Sequence, residues 1–384
     1  MTSFSRDLRL THLITGLNTG GAETMLFKLC RVWAGQGVRL EVISMIGGGV
    51  LADRFRDLGI PVVELGMRSG APNPLALGRL MLQLADHRPQ VFQTWMYHAD
   101  LMGGLAARLM GHPFPVTWNI RNSDLGPSFT KGSTRLVARV CAGMGARWVD
   151  RIFCCSDRSA TLHEEFGYSK DLFCVLPNGF EMERFHADSQ ARAVVRAELG
   201  LSDDLRLVGQ VARYDPIKGH GVMLEALTLL PSQVHLLLCG DGVTAENRAL
   251  RDAMNRLGVQ ERCHLLGRRS DIPRLMSALD FLVSPSLGEG FPNVVGEAMA
   301  CEIPCVVTDV GDSLLIVGGH GWVVPPGDAA SLARALNEAI ALPDARRREL
   351  GVQARAYIAE KFDIQRVADR YLSEYASILD CSVL

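Results

Sequence analysis

Gly288-Glu289-Gly290-Phe291-Pro292-Asn293-Val294-Val295-Gly296-Glu297-Ala298-Met299-Ala300 comes shortly after the apolar run Phe281-Leu282-Val283. The order is a strand, a glycine-flanked loop and a helix of small residues. Glu289 falls in the loop and Glu297 in the helix. Open parallel sheets bind ligands at the loops leaving the carboxyl ends of their strands. A helix amino terminus at that rim offers N–H groups to an anion. Two carboxylates beside an anion site suit a ligand that is both polyhydroxylated and phosphorylated. A sugar nucleotide has both properties.

Outward from this stretch, apolar runs of strand length alternate with helical patterns. Strands are expected at residues 8–14, 39–45, 62–65, 91–95, 115–119, 151–155 and 173–176, and again at 205–212, 234–239, 263–266, 280–284 and 304–307. Helical patterns fall at 22–34, 75–86, 100–109 and 156–165 in the first series, and at 189–199, 219–230, 246–257, 271–278 and 296–300 in the second. Helices at 329–340, 345–361 and 364–379 close the chain. Such alternation predicts α/β architecture with doubly wound parallel sheets. A chain of 384 residues exceeds one ordinary core. The turn cluster Pro177-Asn178-Gly179-Phe180 marks the seam. Two domains are therefore expected, 1–183 and 184–363, facing a deep cleft, with the helix at 364–384 returning to the first.

The bulk charge excludes little but points away from nucleic acid, since the net formal charge is −2. Residues 1–185 carry 20 Lys and Arg against 16 Asp and Glu, leaving a negative second half. That imbalance suits a phosphate-bearing acceptor or an anionic membrane surface, or is a plain solvated surface. Ten cysteines show no C-x-x-C pair and no zinc-like spacing with His, so they read as reduced core thiols of a cytoplasmic protein. His163-Glu164-Glu165 lacks the second His of a zinc helix. Met1-Thr2-Ser3-Phe4-Ser5-Arg6-Asp7 has no apolar leader core, and no apolar stretch is long enough to span a bilayer. Lys131, Arg135 and Arg139 recur every four residues, followed by Arg147 and Arg151, beside Leu136, Val137 and Val140. This run is either a peripheral contact with the inner face of a membrane or a solvated helix face.

Other rim loops carry further candidates. Arg213 and Lys218 leave one strand and Gly219 opens the next helix, an arrangement that can hold a diphosphate. Gly240-Asp241-Gly242 and Leu266-Gly267-Arg268 end the following two strands, where glycine permits close approach of a ligand to the backbone. Trp95-Met96-Tyr97-His98-Ala99-Asp100 lies where a strand gives way to a helix, with Asp100 a candidate N-cap. Arg121 ends the next strand and is a candidate acceptor contact, as is Tyr97.

Taken together, Arg213/Lys218, Gly240-Asp241-Gly242, Leu266-Gly267-Arg268 and the E-x7-E pair occur in the order found in family 4 retaining glycosyltransferases of the GT-B fold, which the chain resembles over its whole length. Gly20-Gly21-Ala22-Glu23 and Asn178-Gly179 resemble that family's glycine loop and hinge segment. The resemblance implies a hexose or N-acetylhexosamine transferase acting with retention, with a UDP-sugar favoured over GDP- or ADP-sugar as donor. It implies a glycan or lipid-linked acceptor and neither cofactor nor metal. Arg213 and Lys218 would neutralise the diphosphate, Glu297 would grip the ribose, and Glu289 and His98 would contact the donor sugar. The backbone at Phe291, Pro292 and Asn293 would hold sugar and phosphate, with Gly20, Gly21, Gly240, Asp241 and Arg268 completing the nucleotide side. A sugar-nucleotide 2-epimerase and a non-catalytic sugar-nucleotide-binding subunit share the fold and are the alternatives. The chain departs from the family pattern where Gln210-Val211-Ala212 separates Gly209 from Arg213, and where Asp312-Ser313 replaces a Pro-Glu pair.

Overall fold

A computed structural model describes residues 8–68, 73–123, 125–126, 130–202 and 204–381. The amino-terminal heptapeptide lies outside them. The chain forms two compact units, Met1–Gly179 with Ile364–Leu384, and Phe180–Asp363.

Unit 1 runs β1 (Arg9–Ile14), α1 (Gly21–Gly35), β2 (Arg39–Ile46), α2 (Val50–Asp57), β3 (Val62–Met67), α3 (Pro74–His87), β4 (Val91–Trp95), α4 (Tyr97–Leu109), β5 (Val116–Ile120), α5 (Gly132–Trp148), β6 (Arg151–Cys154), α6 (Asp157–Glu165) and β7 (Phe173–Val175). Its strands pair in the order β3-β2-β1-β4-β5-β6-β7, every pair parallel. The central strands β4 and β5 are buried end to end, and their polar residues Gln93, Thr94 and Asn119 hydrogen-bond inside the unit to Tyr375, Asp100 and Tyr371. One face packs on α1 and α2, through Leu26, Trp33 and Phe55 among others. The other packs on α3, α4 and α5, through Leu80, Ala107 and Cys141.

Unit 2 runs α7 (Ser189–Glu198), β8 (Arg206–Val211), α8 (His220–Thr228), β9 (Val234–Cys239), α9 (Arg248–Leu257), β10 (Cys263–Leu265), α10 (Ile272–Ala278), β11 (Phe281–Ser284), α11 (Asn293–Ala300), β12 (Cys305–Thr308), α12 (Ser313–Val317), β13 (Gly321–Val324), α13 (Ala329–Ile340) and α14 (Asp344–Phe362). Its sheet order is β10-β9-β8-β11-β12-β13, again all parallel. Helix starts follow local chemistry in both units. Asn73, Ser156, Asp188, Asn247 and Asp328 each accept a backbone N–H of the first turn of α3, α6, α7, α9 and α13.

The last helix, α15 (Ile364–Cys381), belongs to unit 1. Trp33 Nε1 donates to Ala368 O at 3.2 Å and Asn119 Nδ2 to the Tyr371 hydroxyl at 3.0 Å. The Tyr375 hydroxyl donates to Gln93 Oε1. Tyr371 and Tyr375 are fully buried against Trp33 and Phe153.

Below the sheet of unit 2, Asp280 enters β11 fully buried. Its Oδ1 meets Arg192 Nη2 at 2.8 Å and Arg347 Nη2 at 3.6 Å. Its Oδ2 accepts Leu207 N at 2.8 Å and meets Arg196 Nη1 at 3.5 Å. One carboxylate thus ties α7 and α14 to the base of β8 and β11.

Three elements escape the sequence pattern, α2, α12 and β13. The two helices are shorter than the window of about 11–18 residues over which a helical period is recognised, and β13 has only four residues. Among the described residues the ten cysteines are all thiols, mostly buried.

Candidate active site

Both sheets reverse their strand order once, between β1 and β4 in unit 1 and between β8 and β11 in unit 2. Loops leaving such neighbouring strands diverge to opposite faces and open a crevice at the rim. In unit 2 those two loops hold Arg213–Lys218 and Glu289, so residues 71 apart in sequence meet.

The loop after β8 is built by its own chemistry. Asp215 Oδ1 accepts Ile217 N at 3.1 Å, and Pro216 starts a single tight turn through Lys218. Gly219, at φ 67°, then turns the chain into α8. A Cβ there would lie 1.9 Å from Pro285 O, so only glycine lets the two loops pack. The Arg213 guanidinium clamps Asp215 Oδ2 through Nε at 3.2 Å and Nη2 at 2.9 Å. The Ile217 N–H, and then Arg213, hold the Asp215 carboxyl below its usual range. Arg213 remains 64% exposed, whereas Lys218 turns inward.

Lys218 Nζ donates to Glu289 Oε1 at 2.6 Å, and Ser286 Oγ donates to the same oxygen at 2.7 Å. The Glu289 side chain is only 11% exposed, so this contact is shielded from solvent. Thr308 Oγ1 faces Ser286 O at 2.6 Å and Ser284 O at 3.2 Å, tying the loop to β12. Gly311, at φ 53°, passes so close that a Cβ would meet Gly290 O at 2.3 Å. Asp312 N completes that crossing with a 3.0 Å bond to Gly290 O.

Pro292 precedes α11, and Asn293 and Glu297 fall four residues apart on one face of its first two turns. Both are partly exposed. Phe291 is buried against the Phe180 and Phe362 rings, with Gly296 pressed on Phe180, where a Cβ would sit 2.1 Å from the ring. The helix amino terminus is thereby fixed by aromatic packing beneath it.

The next two rim loops are stitched to the first. Gly240 N donates to Gly267 O at 2.8 Å and Tyr214 N to Asp241 O at 2.7 Å. A Cβ on Gly240 would lie 2.0 Å from Ala212 O. Asp241 and Arg268 stand exposed at the edge of this group. His220 is buried under the loop with its ring against Tyr214, and burial lowers its pKa to about 4, so it is neutral at physiological pH.

In unit 1, Gly20 caps α1 in extended conformation and Gly21 opens it, exposed. A Cβ on Gly20 would lie 2.2 Å from Glu23 Oε2, since Glu23 folds back over the helix start. Across the switch point, Met96 adopts φ 70° and α4 begins at Tyr97, so His98 occupies its first turn, half-buried and with its pKa lowered by burial.

Three candidates of this unit are placed differently from expectation. Tyr97 is in the core, its hydroxyl 2.7 Å from His163 Nε2, and so presents no surface to an acceptor. Arg121 lies beneath the rim. Its Nε donates to Asn119 Oδ1 at 2.7 Å and its Nη1 to Leu176 O at 2.5 Å, with Trp95 and Tyr371 rings alongside. Asp100 is not the N-cap, because α4 starts earlier; it is buried, held by Thr94 Oγ1, and burial raises its pKa to about 8. His163 is likewise a core residue, its Nδ1 2.7 Å from Ser159 O. Among the described residues no group of three His, Cys, Asp or Glu is placed to hold a metal ion.

Sequence reading missed Asp215, Ser286, Thr308 and Gly311. Two of them left a signal, Asp215 directly before Pro216 as a turn-starting pair, and Ser286 three residues before Glu289. Thr308 and Gly311 come from a neighbouring strand and its loop, which local pattern cannot place.

Two doubly wound parallel-sheet units, one with a Lys–Glu pair and a helix amino terminus at its switch point, are the ingredients of the GT-B fold. Residues 205–341 match the glycosyl transferases group 1 family and residues 19–184 match glycosyltransferase family 4. The chain is 31% identical, over 94% of its length and 92% of the relative, to a D-inositol 3-phosphate glycosyltransferase of Xylanimonas cellulosilytica. It is 23% identical, over 94% of its length and 98% of the relative, to the N,N'-diacetylbacillosaminyl-diphospho-undecaprenol alpha-1,3-N-acetylgalactosaminyltransferase of Campylobacter jejuni. Its fold is similar to that of Anabaena HepE, solved in complex with UDP, at a TM-score of 0.85 and 24% identity over 96% of this chain and all of that one. The chain belongs to the group 1 glycosyltransferases of family 4.

Proposed function

We propose that this enzyme transfers a hexose or N-acetylhexosamine from a UDP-sugar, with retention and without a metal ion, to a phosphate-bearing glycan or lipid-linked acceptor. The observation that carries this reading is the convergence of Lys218 Nζ and Ser286 Oγ on one oxygen of Glu289, next to the start of α11. The second Glu289 oxygen is then oriented to accept hydroxyl protons of the donor sugar. Lys218 and the first N–H groups of α11 supply positive charge where the diphosphate departs. Asn293 and Glu297 on the exposed face of α11 suit the sugar and ribose hydroxyls.

In the proposed reaction the bond between the anomeric carbon and the diphosphate oxygen breaks, and its electron pair stays on the diphosphate. The acceptor oxygen bonds to the same face of that carbon, and its proton passes to the leaving phosphate. Arg213, exposed and held by Asp215, supplies a second cation at the mouth of the loop. A relative whose name specifies an inositol phosphate acceptor and another whose name specifies a diphospho-undecaprenol acceptor support a phosphorylated acceptor class.

The direct test is thermal stabilisation of the full chain by UDP, with GDP and ADP as comparators. A ligand at about 100 times its Kd adds about 2.7 kcal/mol to the native state. UDP should raise the melting temperature most, and Glu297→Ala should remove most of that rise. No stabilisation by any of the three nucleotides would overturn the donor assignment, and an unchanged shift in Glu297→Ala would remove Glu297 from the ribose.

Ser286→Ala isolates the positioning of Glu289. It removes one hydrogen bond to a charged group, on the order of 1.5–3 kcal/mol, and touches nothing on the nucleotide side. Turnover of a UDP-sugar should fall about 10- to 100-fold, while UDP affinity measured by calorimetry stays at the wild-type value. Equal losses in both would show that Ser286 merely supports the loop.

A further inference from the structure

Arg347, in the first turn of α14, is a buried cation whose hydrogen bonds are not met. Its side chain is only 11% exposed, and both of its carboxylate contacts, Nη2 to Asp280 Oδ1 and Nε to Asp344 Oδ1, are 3.6 Å long. That is beyond hydrogen-bonding distance. Its Nε is buried with no hydrogen-bond partner among the described residues. A guanidinium carries five N–H donors and stays charged, so leaving them unmet in the interior costs free energy. Burial lowers the Arg347 pKa most, and the neighbouring Arg192 and Arg206 lower it further, against the pull of Asp280 and Asp344. No side chain caps α14, and its dipole favours an anion at this end, not a cation.

The neighbours share the same two carboxylates. Arg192 Nη2 meets Asp280 Oδ1 at 2.8 Å and Arg206 Nη1 meets Asp344 Oδ1 at 2.8 Å, so Arg347 stands between them. Both neighbours are partly exposed. Arg196 takes the other oxygen of Asp280, Arg348 lies near Asp344, and the exposed Asp204 lies near Arg196. Arg346 is matched by Glu349 at 2.7 Å. Five guanidiniums, those of Arg192, Arg196, Arg206, Arg347 and Arg348, therefore face three carboxylates, those of Asp204, Asp280 and Asp344. A clamp that only held the sheet would need no more cations than its carboxylates can serve. A tetrahedral dianion matches the surplus of charge and presents acceptor oxygens in several directions at once, which planar guanidinium forks bind well.

We propose that Arg192, Arg206 and Arg347 form a binding site for a phosphate-class dianion at the start of α14, at the end of the unit 2 sheet opposite the Lys218–Glu289 pair. This goes beyond the donor chemistry and does not depend on it.

The test is thermal melting and calorimetric titration of the full chain with inorganic phosphate, with sodium chloride keeping the ionic strength constant. Phosphate and sulfate should raise the melting temperature, because a ligand of the native state stabilises it, and chloride should not. Arg206→Gln should weaken phosphate binding about 10- to 100-fold, the scale for one hydrogen bond to a charged group, and Arg347→Gln at least as much. Each variant is compared with itself without phosphate, so a change in its own stability cancels. Arg206→Gln leaves Asp280 and its three guanidiniums in place, which keeps the test open if Arg347→Gln does not fold. Lys218→Ala should retain the whole phosphate response. No stabilisation beyond matched sodium chloride would overturn the proposal and leave water as the partner of Arg347. A response that neither arginine variant weakens would overturn it too. A response lost in Lys218→Ala would overturn it by placing the anion on the donor loop. With the site confirmed, competition by glycerol 3-phosphate would show that it takes the phosphoryl end of a larger molecule, and its failure to compete would assign the site to the free ion.

Discussion

Lys218→Ala is expected to reduce donor turnover about 10²- to 10³-fold, the scale for removing one well-aimed charge-stabilising donor. Two consequences of the truncation add. The leaving diphosphate loses a cation, and Glu289 loses the partner that holds its Oε1 at 2.6 Å. The second loss matters because Glu289 is largely shielded from water, so its charge is then opposed only by the Ser286 hydroxyl among the contacts described above. The two effects separate in a double-mutant cycle. Lys218→Ala and Glu289→Gln share one contact, so the double variant should cost clearly less than the sum of the singles. Initial rates of UDP release from UDP-glucose and UDP-N-acetylglucosamine give the kinetic term, and calorimetry with UDP gives the binding term. Wild-type UDP affinity and turnover in Lys218→Ala would assign the lysine to loop packing alone.

Asp280→Asn should destabilise unit 2 by about 3–5 kcal/mol, the cost of breaking a buried ion pair from one side. Three guanidiniums share this carboxylate, and that of Arg196 is itself almost fully buried. Asparagine keeps the shape and one acceptor oxygen but removes the charge, so the loss reports the electrostatic part of the clamp. Because domain stabilities are commonly 5–15 kcal/mol, the change is a large fraction of the total. Urea unfolding followed by tryptophan fluorescence and circular dichroism should show an early transition for unit 2, with unit 1 unmoved. A midpoint equal to wild type would mean that water or another group already compensates the arginines. The clamp lies at the opposite end of β11 from Glu289, so UDP affinity under native conditions should survive.

The legible parts of the sequence were those with a local cause. Strand runs such as 91–95 and 234–239 coincide with β4 and β9 because central strands of parallel sheets are buried on both faces. Gly219 could be read as a helix start because the residue must take a positive φ. The boundary of α4 could not be read. Its first residue, Tyr97, looks like part of a loop, and only the backbone bond from Asp100 N to Met96 O at 3.0 Å shows that the helix has already begun. The orientation of Arg121 could not be read for a related reason. Its position at a strand end was correct, but the side chain turns down to Asn119, two residues before it, and to Leu176 O, 55 residues on.

By itself the sequence determined two series of alternating strands and helices, and it placed Arg213, Lys218, Glu289 and Glu297 at loops after strands or helix starts. Hydrophobic period, glycine positions and turn residues are local properties, written within a few residues of where they act. Only the tertiary structure decided which of those loops are neighbours. β8 and β11 pair at the point where the sheet order reverses, and that pairing sets Lys218 against Glu289. The pairing of β11 with β12 brought in Thr308 and Gly311, and packing within unit 1 buried Tyr97 and Arg121. Strand order is fixed by which apolar faces bury each other across the whole unit, a condition that no single segment contains.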